Sequence, residues 1–458
     1  MQDSRTFYVS NFGCRATQAD GAGIETELLS RGLSQGNTAL ASDVVVINTC
    51  TVTDQADQDA RKIIRRIHRE NPQAEILVTG CYAQRQPTEV AAMEGVKWVV
   101  GNSHKSTVGE VVAPQLISIR EDTNPQHSSY HGEIHTGGIL VSEDFEKVSE
   151  LSTRVIAASF DRSRPNLKIQ DGCNNRCRFC IIPSVRGGSR SASMNSVLSS
   201  IRQLSKRYPE VVLTGINLGR WGRDLDGRPR LISLLRCILA ETPIQKIRLS
   251  SVEPMDWTNE LLSLMASTHR IAKHVHIPMQ SGSDEILKSM GRRYRKRHYL
   301  DRVTRARRLM SMAAIGADVM VGFPGETDKD FEETKQLISD LPFTYLHVFS
   351  YSRRPGTEAC RMQDEVNSEK KKERSHILRE LSRKKNLGFR RSLIGKTFSA
   401  VTLNQADGAN VLAMTDNYVP VQLKSAGEKG IRPINVEVLS ATAECTRALE
   451  LDAVNRVK

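Results

Sequence analysis

Three apolar runs early in the chain each end on a cysteine: TFYVSNFGC, VVVINTC and ILVTGC close at Cys14, Cys50 and Cys81. Short apolar runs rich in Val and Ile read as buried strands. Between them lie ATQADGAGIETELLSRG and TVTDQADQDARKIIRRIHREN. In the second, Ala60, Ile63, Ile64 and Ile67 recur at helical spacing, with Thr53 or Asp54 placed to cap it. Strand–helix–strand alternation predicts a parallel α/β domain, here over residues 5–118. The C-terminal ends of parallel strands lie along one edge of a sheet, so the three cysteines are expected to meet there. Three buried core thiols are the plainer alternative.

Residues 119–160 lose this periodicity and carry Asn124-Pro125, Ser128-Ser129 and Gly137-Gly138, which reads as a linker. Over 161–393 the βα alternation returns, with six strand candidates: NLKIQ, VVLTG, KIRLS, HVHIP, ADVMVGF and YLHVFSY. Six units are too few for an eight-stranded barrel, so an open or partial barrel is expected. A charged helix with Ile377, Leu378 and Leu381 on one face ends this part. Residues 394–458 switch to short alternating strands, TFSAVTL, ANVLAMT, YVPVQLK and INVEVLSAT, and predict a small all-β barrel.

Lys and Arg number 65 against 52 Asp and Glu, a net charge of +13. A surplus of this size points to an anionic partner, nucleic acid first. A basic enzyme without such a partner is the alternative. No apolar run reaches the ~18 residues of a membrane span, and MQDSRTFYVSNFG has no signal-peptide pattern. A cytoplasmic protein without membrane contact is therefore expected. In that reducing compartment the nine cysteines favour metal or core roles over disulfides.

The strongest local pattern is DGCNNRCRFC, in which Cys173, Cys177 and Cys180 follow the first strand of the central domain. Ligands bind at the C-terminal ends of such strands. Three thiolates suit zinc or an iron–sulfur cluster. A structural zinc site wants a fourth ligand nearby, yet the next Cys is Cys237 and the next His is His269. A four-iron cluster on three cysteines keeps one iron open.

This C-x3-C-x2-C motif, with Phe179 before its last cysteine, resembles the radical S-adenosylmethionine enzymes. The resemblance implies that the open iron binds the methionine end of S-adenosylmethionine, and that an electron from the cluster cleaves it to a 5′-deoxyadenosyl radical. NTCTVT around Cys50, GCYAQ around Cys81, RGGSRS, SSVEP, QSGSD, MGRRY, DVMVGFPGET and YSRRPGT are similar to the methylthiotransferases, in order along nearly the whole chain. The fold implied is α/β: an N-terminal parallel α/β domain, a central partial (β/α)6 barrel and a C-terminal TRAM barrel that binds RNA. The family also implies a second 4Fe-4S cluster, on Cys14, Cys50 and Cys81. One departure stands at GCRATQAD, where Thr17 occupies a position usually held by Asn. It bears on local hydrogen bonding rather than on the cluster.

NTCTVT and YSRRPGT look most like the threonylcarbamoyladenosine branch, the MtaB type. Its substrate is C2 of the adenine at position 37 of tRNA, beside the anticodon. The alternatives are isopentenyladenosine in tRNA, an aspartate of a ribosomal protein, or a non-catalytic iron–sulfur RNA-binding protein. The resemblance implies two molecules of S-adenosylmethionine in turn, one as methyl donor and one as radical source. It also implies an external electron donor and sulfur source, and a monomer is expected. Phe179, Thr214, Gly215, Ser251 and Glu253 are candidates for the cofactor, and Gly187 and Gly188 for close backbone approach to a ligand. For RNA, GRRYRKRHY offers Arg292, Arg293, Arg295, Lys296 and Arg297 to phosphates, with Tyr294 and Tyr299 for stacking. An ordinary solvated helix start is the alternative. Cys237, Cys360 and Cys445 read as structural.

Overall fold

In the computed structural model, which describes residues 5–114, 138–142, 145, 163–407, 410–424 and 430–451, the N-terminal part is built on one parallel sheet. Its order is Ser34–Gln35, Thr6–Asn11, Val44–Thr49, Glu75–Gly80, Val96–Gly101 and Ile139–Leu140. Val44–Thr49 is buried at every position because both faces are covered. Val44 and Val46 pack with Leu28, Leu77 and Val108, whereas Val45 and Ile47 pack with Ala60, Ile64 and Val78. The helix Asp54–Glu70 begins where Thr53 Oγ1 accepts the Ala56 N–H. It buries Ala60, Ile64 and Ile67, with Ile63 at the margin.

Ile139–Leu140 falls in the stretch expected to be a linker, and instead adds the sixth strand to the sheet. Ser142 is held there too: its carbonyl accepts from Gln84 Nε2 at 2.8 Å and its N–H donates to Ser103 Oγ at 2.9 Å. Two paired residues are too short to leave a period in the sequence. Most of the remaining expected linker lies outside the described residues.

The central part has all six expected strands: Asn166–Asp171, Glu210–Gly215, Lys246–Leu249, His274–His276, Ala314–Val321 and Tyr345–Ser350. The first three form one parallel sheet in the order third, second, first, edged by the short antiparallel strand Arg190–Ser191. The last three form another. Between the third and fourth strands one parallel bridge, Ile247 to Ile271, carries the hydrogen bonding across. Residues such as Ile169, Leu213, Ile247, Val275 and Ala317 pack under the helices with Ile201, Leu234, Val303 and Ile338. This is the partial six-stranded barrel.

The helix Ser368–Arg391, capped by Asn367, buries Leu378 against that core and leads into the C-terminal module. The module is a closed barrel of five strands, Thr397–Asp407, Asn410–Thr415, Pro420–Lys424, Thr446–Leu451 and Pro433–Ala441 in order around it. The fifth, Thr446–Leu451, was not among the expected strands. Its small inward residue Ala448 and its outward Leu449, 51% exposed, hide the alternation.

By contacts the chain divides into two compact units. The first takes the described residues within 1–150 together with 172–174 and 181–188. The second takes those within 151–171, 175–180 and 189–458, so the C-terminal barrel belongs with the central one. Arg248 explains part of that union. Fully buried, it pairs with Glu210 at 2.7 Å and donates to the carbonyls of Thr415 and Asp416 at 3.0 and 3.1 Å. Tyr418 lies under its guanidinium and stacks on His274 with ring centroids 4.2 Å apart. Among the described residues no helix is long and apolar enough to cross a membrane.

Candidate functional site

In the first unit, Cys14, Cys50 and Cys81 follow three adjacent parallel strands, whose ends are in register at Asn11–Asn48 and Thr49–Gly80. The backbone is tightly packed at these strand ends. Gly13 has φ +108°, and a Cβ there would lie 2.5 Å from Cys50 Cβ. Gly80 has φ +98°, and a Cβ there would meet the Thr49 carbonyl at 2.4 Å. Both turns therefore need glycine. Cys14 then caps the helix Arg15–Ser30, and Cys81 opens the helix Cys81–Arg85.

Burial pushes the Cys50 thiol up to about 12, and the charges of Cys81 and Cys14 push in the same direction; Arg186 partly opposes them. Cys50 thus lies within electrostatic reach of both other sulfurs. Cys14 Sγ lies 3.5 Å from Thr17 Oγ1, so the departing Thr17 still bonds the cysteine it follows. Asn102 Nδ2 donates to Cys81 Sγ at 3.4 Å and to the Val185 carbonyl at 2.7 Å. Cys81 also packs with Ile181 and Val185. Arg186, 1% exposed, pairs with Asp20 at 3.1 Å, which Lys105 meets at 2.9 Å. All nine cysteines are free thiols. Cys50 and Cys81 are buried while Cys14 is exposed. Three soft ligands at adjacent strand ends, one of them open to solvent, with a cation close by, fit a bound metal cluster better than a packed core.

The C-x3-C-x2-C loop leaves the strand Asn166–Asp171 through Gly172, at φ +69°. A Cβ on Gly172 would lie 1.9 Å from the Gly188 carbonyl, and the Cys173 N–H donates to the Gly187 carbonyl at 3.0 Å. The close approach expected of Gly187 and Gly188 is thus to the backbone of this loop. In the second unit, the Cys180 N–H donates to the Cys177 carbonyl. Phe179 packs edge-on against Phe323, with ring centroids 6.4 Å apart.

Arg292 corrects the sequence reading. It was expected on an RNA-facing surface, yet it is 7% exposed. Its Nη1 donates to Cys177 Sγ at 3.2 Å, its Nη2 bonds Glu253, and its guanidinium lies 4.9 Å from the Tyr294 ring. Tyr294 and Tyr299 are buried as well, with hydroxyls on backbone carbonyls, so neither is a stacking platform. Arg295 gives Nη1 to the carbonyls of Arg292 and Tyr294, both at 2.8 Å. Lys296 is half-buried, 3.8 Å from Glu333. Arg293 and Arg297 are exposed.

The cofactor candidates gather at strand ends. Thr214 is buried and Gly215 half-buried at the end of the second strand. Ser251 is exposed just past the third. Glu253 has its carboxyl pushed up by burial, and Arg292 opposes the rise without cancelling it. Sequence reasoning missed Ser250, whose hydroxyl is buried without a hydrogen-bond partner among the described residues. An orphaned buried hydroxyl beside these strand ends fits a polar cofactor. The repeated Ser in SSVEP was the available signal.

A second polar group lies on the fourth to sixth strands. Asp318 Oδ1 is 3.0 Å from His276 Nε2 and 3.2 Å from His347 Nδ1. Burial pushes the Asp318 carboxyl up, but the two imidazoles outweigh it and hold it below the usual carboxylate range.

Comparison with known proteins matches two family models: the Radical SAM superfamily over residues 167–338 and the uncharacterized protein family UPF0004 over 6–101. The threonylcarbamoyladenosine tRNA methylthiotransferase MtaB of Bacillus subtilis (strain 168) is 34% identical over 434 residues, covering 94% of this chain and 92% of that protein. The protein of the same name from Aquifex aeolicus (strain VF5) is 36% identical over 419 residues, 91% and 96% of the two chains. The tRNA-2-methylthio-N(6)-dimethylallyladenosine synthase of Carboxydothermus hydrogenoformans is 32% identical over 384 residues, 82% and 83%. Among solved structures, the radical S-adenosylmethionine methyltransferase TsrM from Kitasatospora setae, with cobalamin and a [4Fe-4S] cluster, matches with a TM-score of 0.52. It covers 78% of this chain and 77% of that one at 16% identity, a likeness of fold.

Proposed function

The chain belongs to the radical S-adenosylmethionine tRNA methylthiotransferases, and on that footing we propose that it adds a methylthio group to C2 of N6-threonylcarbamoyladenosine at position 37 of tRNA. The cofactors of this family are S-adenosylmethionine and a 4Fe-4S cluster. When bound, they supply a methyl group and a hydrogen-abstracting radical, chemistry that side-chain acids and bases do not offer at an unactivated aromatic C–H.

The residues divide the work. Cys173, Cys177 and Cys180 hold the first cluster. Glu253, Ser250 and Ser251, with Thr214 and Gly215, receive the polar methionine end of S-adenosylmethionine, and Phe179 lines its place. Arg292 orients Glu253 and Cys177 together. Cys14, Cys50 and Cys81 would hold a second 4Fe-4S cluster, which would supply the site for sulfur transfer. The protein works as a monomer with an external electron donor and sulfur source.

The observation that carries this reading is the placement of Cys14, Cys50 and Cys81 at the ends of adjacent strands, with the Cys50 thiol raised by burial and then by the other two. The threonylcarbamoyl branch rests on the relatives in which the name recurs. Mass spectrometry of tRNA nucleosides from cells with and without the protein tests it. Loss of 2-methylthio-N6-threonylcarbamoyladenosine alone is expected. Loss of the isopentenyl nucleoside instead, or of neither, would sink the substrate assignment. In the purified protein, anaerobic reconstitution is expected to give about eight irons per chain, two clusters of four. Cys14→Ala, Cys50→Ala or Cys81→Ala should bring this to about four and abolish the product.

A further inference from the structure

The inner wall of the partial barrel carries a polar group that neither cysteine set uses. On the last three strands Val275, Ile315, Ala317, Val319, Leu346 and Val348 enter the core beneath the helices. Side chains alternate along a strand. The opposite set, His276, Asp318 and His347, therefore faces the barrel interior. Asp318 and His347 are direct partners in the ladder, and His276 pairs with Gly316 two residues before Asp318.

The group is held from behind and open in front. His276 Nδ1 is 2.8 Å from the Tyr345 hydroxyl, which also lies 2.7 Å from His274 Nε2. Both imidazole contacts of Asp318 fall on Oδ1. Asp318 Oδ2 and His347 Nε2 have no partner among the described residues. Side-chain exposure rises from 6% at His276 to 22% at Asp318 and 54% at His347. One inward position further along the sixth strand, toward its C-terminal end, Phe349 is 42% exposed and meets the His347 ring edge-on at 6.5 Å. The order along this wall is thus an exposed aromatic face, then a hydrogen-bonding pair.

We propose that His276, Asp318 and His347 form the subsite for the threonylcarbamoyl arm of the substrate adenosine, with Phe349 as the stacking face for its purine. This rests on the reading that threonylcarbamoyladenosine is the substrate. The arm carries a urea, a hydroxyl and a carboxylate. Asp318 Oδ2 accepts a hydrogen bond from the urea or hydroxyl, and His347, held through Nδ1 by Asp318, offers Nε2 to the carboxylate. Tyr345 and His276 fix the carboxylate that orients His347. An isopentenyl arm offers none of these partners and would bury the same groups unsatisfied, which is a strong basis for rejection. The three ligand atoms also lie within 4.8 Å of one another, close enough for a cation. But Oδ1 already bridges both imidazoles, and a cation would break both contacts.

The test compares affinities of the reconstituted holoenzyme for two anticodon stem-loops, one with threonylcarbamoyladenosine and one with plain adenosine. Wild type is expected to prefer the modified RNA. His347→Ala should lose at least about tenfold of that preference, the worth of a hydrogen bond to a charged group. Asp318→Asn should lose a comparable share, and His347→Gln should restore part of it. A preference that survives both His347→Ala and Asp318→Asn overturns the proposal. So does zinc bound stoichiometrically by wild type and lost in His347→Ala with the preference intact. If wild type modifies threonylcarbamoyladenosine and the variants keep their preference, the subsite alone fails. If wild type does not modify that RNA, the substrate reading fails and takes the subsite with it.

Discussion

Arg292 donates to Cys177 Sγ and to Glu253 at once, with Tyr294 against its guanidinium. A cation that donates to a ligating sulfur stabilises the charge a cluster gains on reduction, and so raises its potential. Arg292→Gln keeps an N–H donor and removes the charge. At a fixed ambient potential the ratio of reduced to oxidised cluster should fall at least tenfold, about 59 mV for a one-electron couple. A potentiometric titration of the electron paramagnetic resonance signal that changes with S-adenosylmethionine reads this directly. An unchanged midpoint would make Arg292 a packing residue only. Nothing in GRRYRKRHY singles out this cation among five, because its partner is 115 residues away and only burial separates it from Arg293. The strand-end placement of the cysteines was legible for the opposite reason: the apolar run that precedes Cys14, Cys50, Cys81 or the C-x3-C-x2-C loop is a local feature of the sequence. Ser250 was hidden by Ser251, since the sequence does not say which of two adjacent serines turns inward.

On strand Lys246–Leu249, Arg248 forms a buried ion pair with Glu210 inside the central barrel and reaches the C-terminal one through the carbonyls of Thr415 and Asp416. Burial pushes the Glu210 carboxyl up, and Arg248, Arg164 and Lys246 more than reverse that, leaving it below the ordinary carboxylate range. A carboxylate lowered in this way stabilises the fold above its unfolded value, and the contribution fades as pH falls through the folded one. Arg248→Met removes the main partner and leaves Glu210 buried with only Arg164, at 3.4 Å, and Lys246 to offset its charge, a loss that approaches the ~3–5 kcal/mol of a broken buried pair. It also frees the carbonyls of Thr415 and Asp416 that hold the C-terminal module. The melting temperature of Arg248→Met should lie well below that of wild type at neutral pH. The gap should narrow toward acid pH, where Glu210 in the variant takes up a proton and its burial penalty goes. Scanning calorimetry across that range decides it, and a gap that widens in acid refutes the assignment. Period and turn residues made the barrel strands readable, because the alternation repeats over several residues. Ile139–Leu140 is too short for that, and Thr446–Leu451 shows Leu to solvent and Ala to the core. The Arg248 hydrogen bonds that unite the modules join residues 167 and 168 apart and left no sequence signal.

The net charge of +13 describes the whole chain, yet not every cation of it faces solvent. Arg248 and Arg292 are buried, and on the charged helix Ser368–Arg391 Arg374 pairs with Glu326 and Asp328, Lys371 with Glu365. The surplus was legible in the sequence, but which cations reach solvent depends on which carboxylates the fold brings to them. Arg293 and Arg297 are exposed beside a stretch whose other cations are engaged, so they are the ones left to meet phosphate. Each phosphate contact releases condensed counterions, and log affinity falls against log salt with a slope near 0.7 per contact on single strands and 0.9 on duplex. Removing both in Arg293→Ala/Arg297→Ala should therefore flatten the slope for tRNA binding by roughly 1.4–1.8. Fluorescence anisotropy between about 50 and 200 mM salt covers the range in which the effect is large. Arg292→Gln is the control, because a buried cation has no phosphate to neutralise and its slope should match wild type. A slope lowered by Arg292→Gln, or unchanged in the double variant, would move the RNA contact to another face.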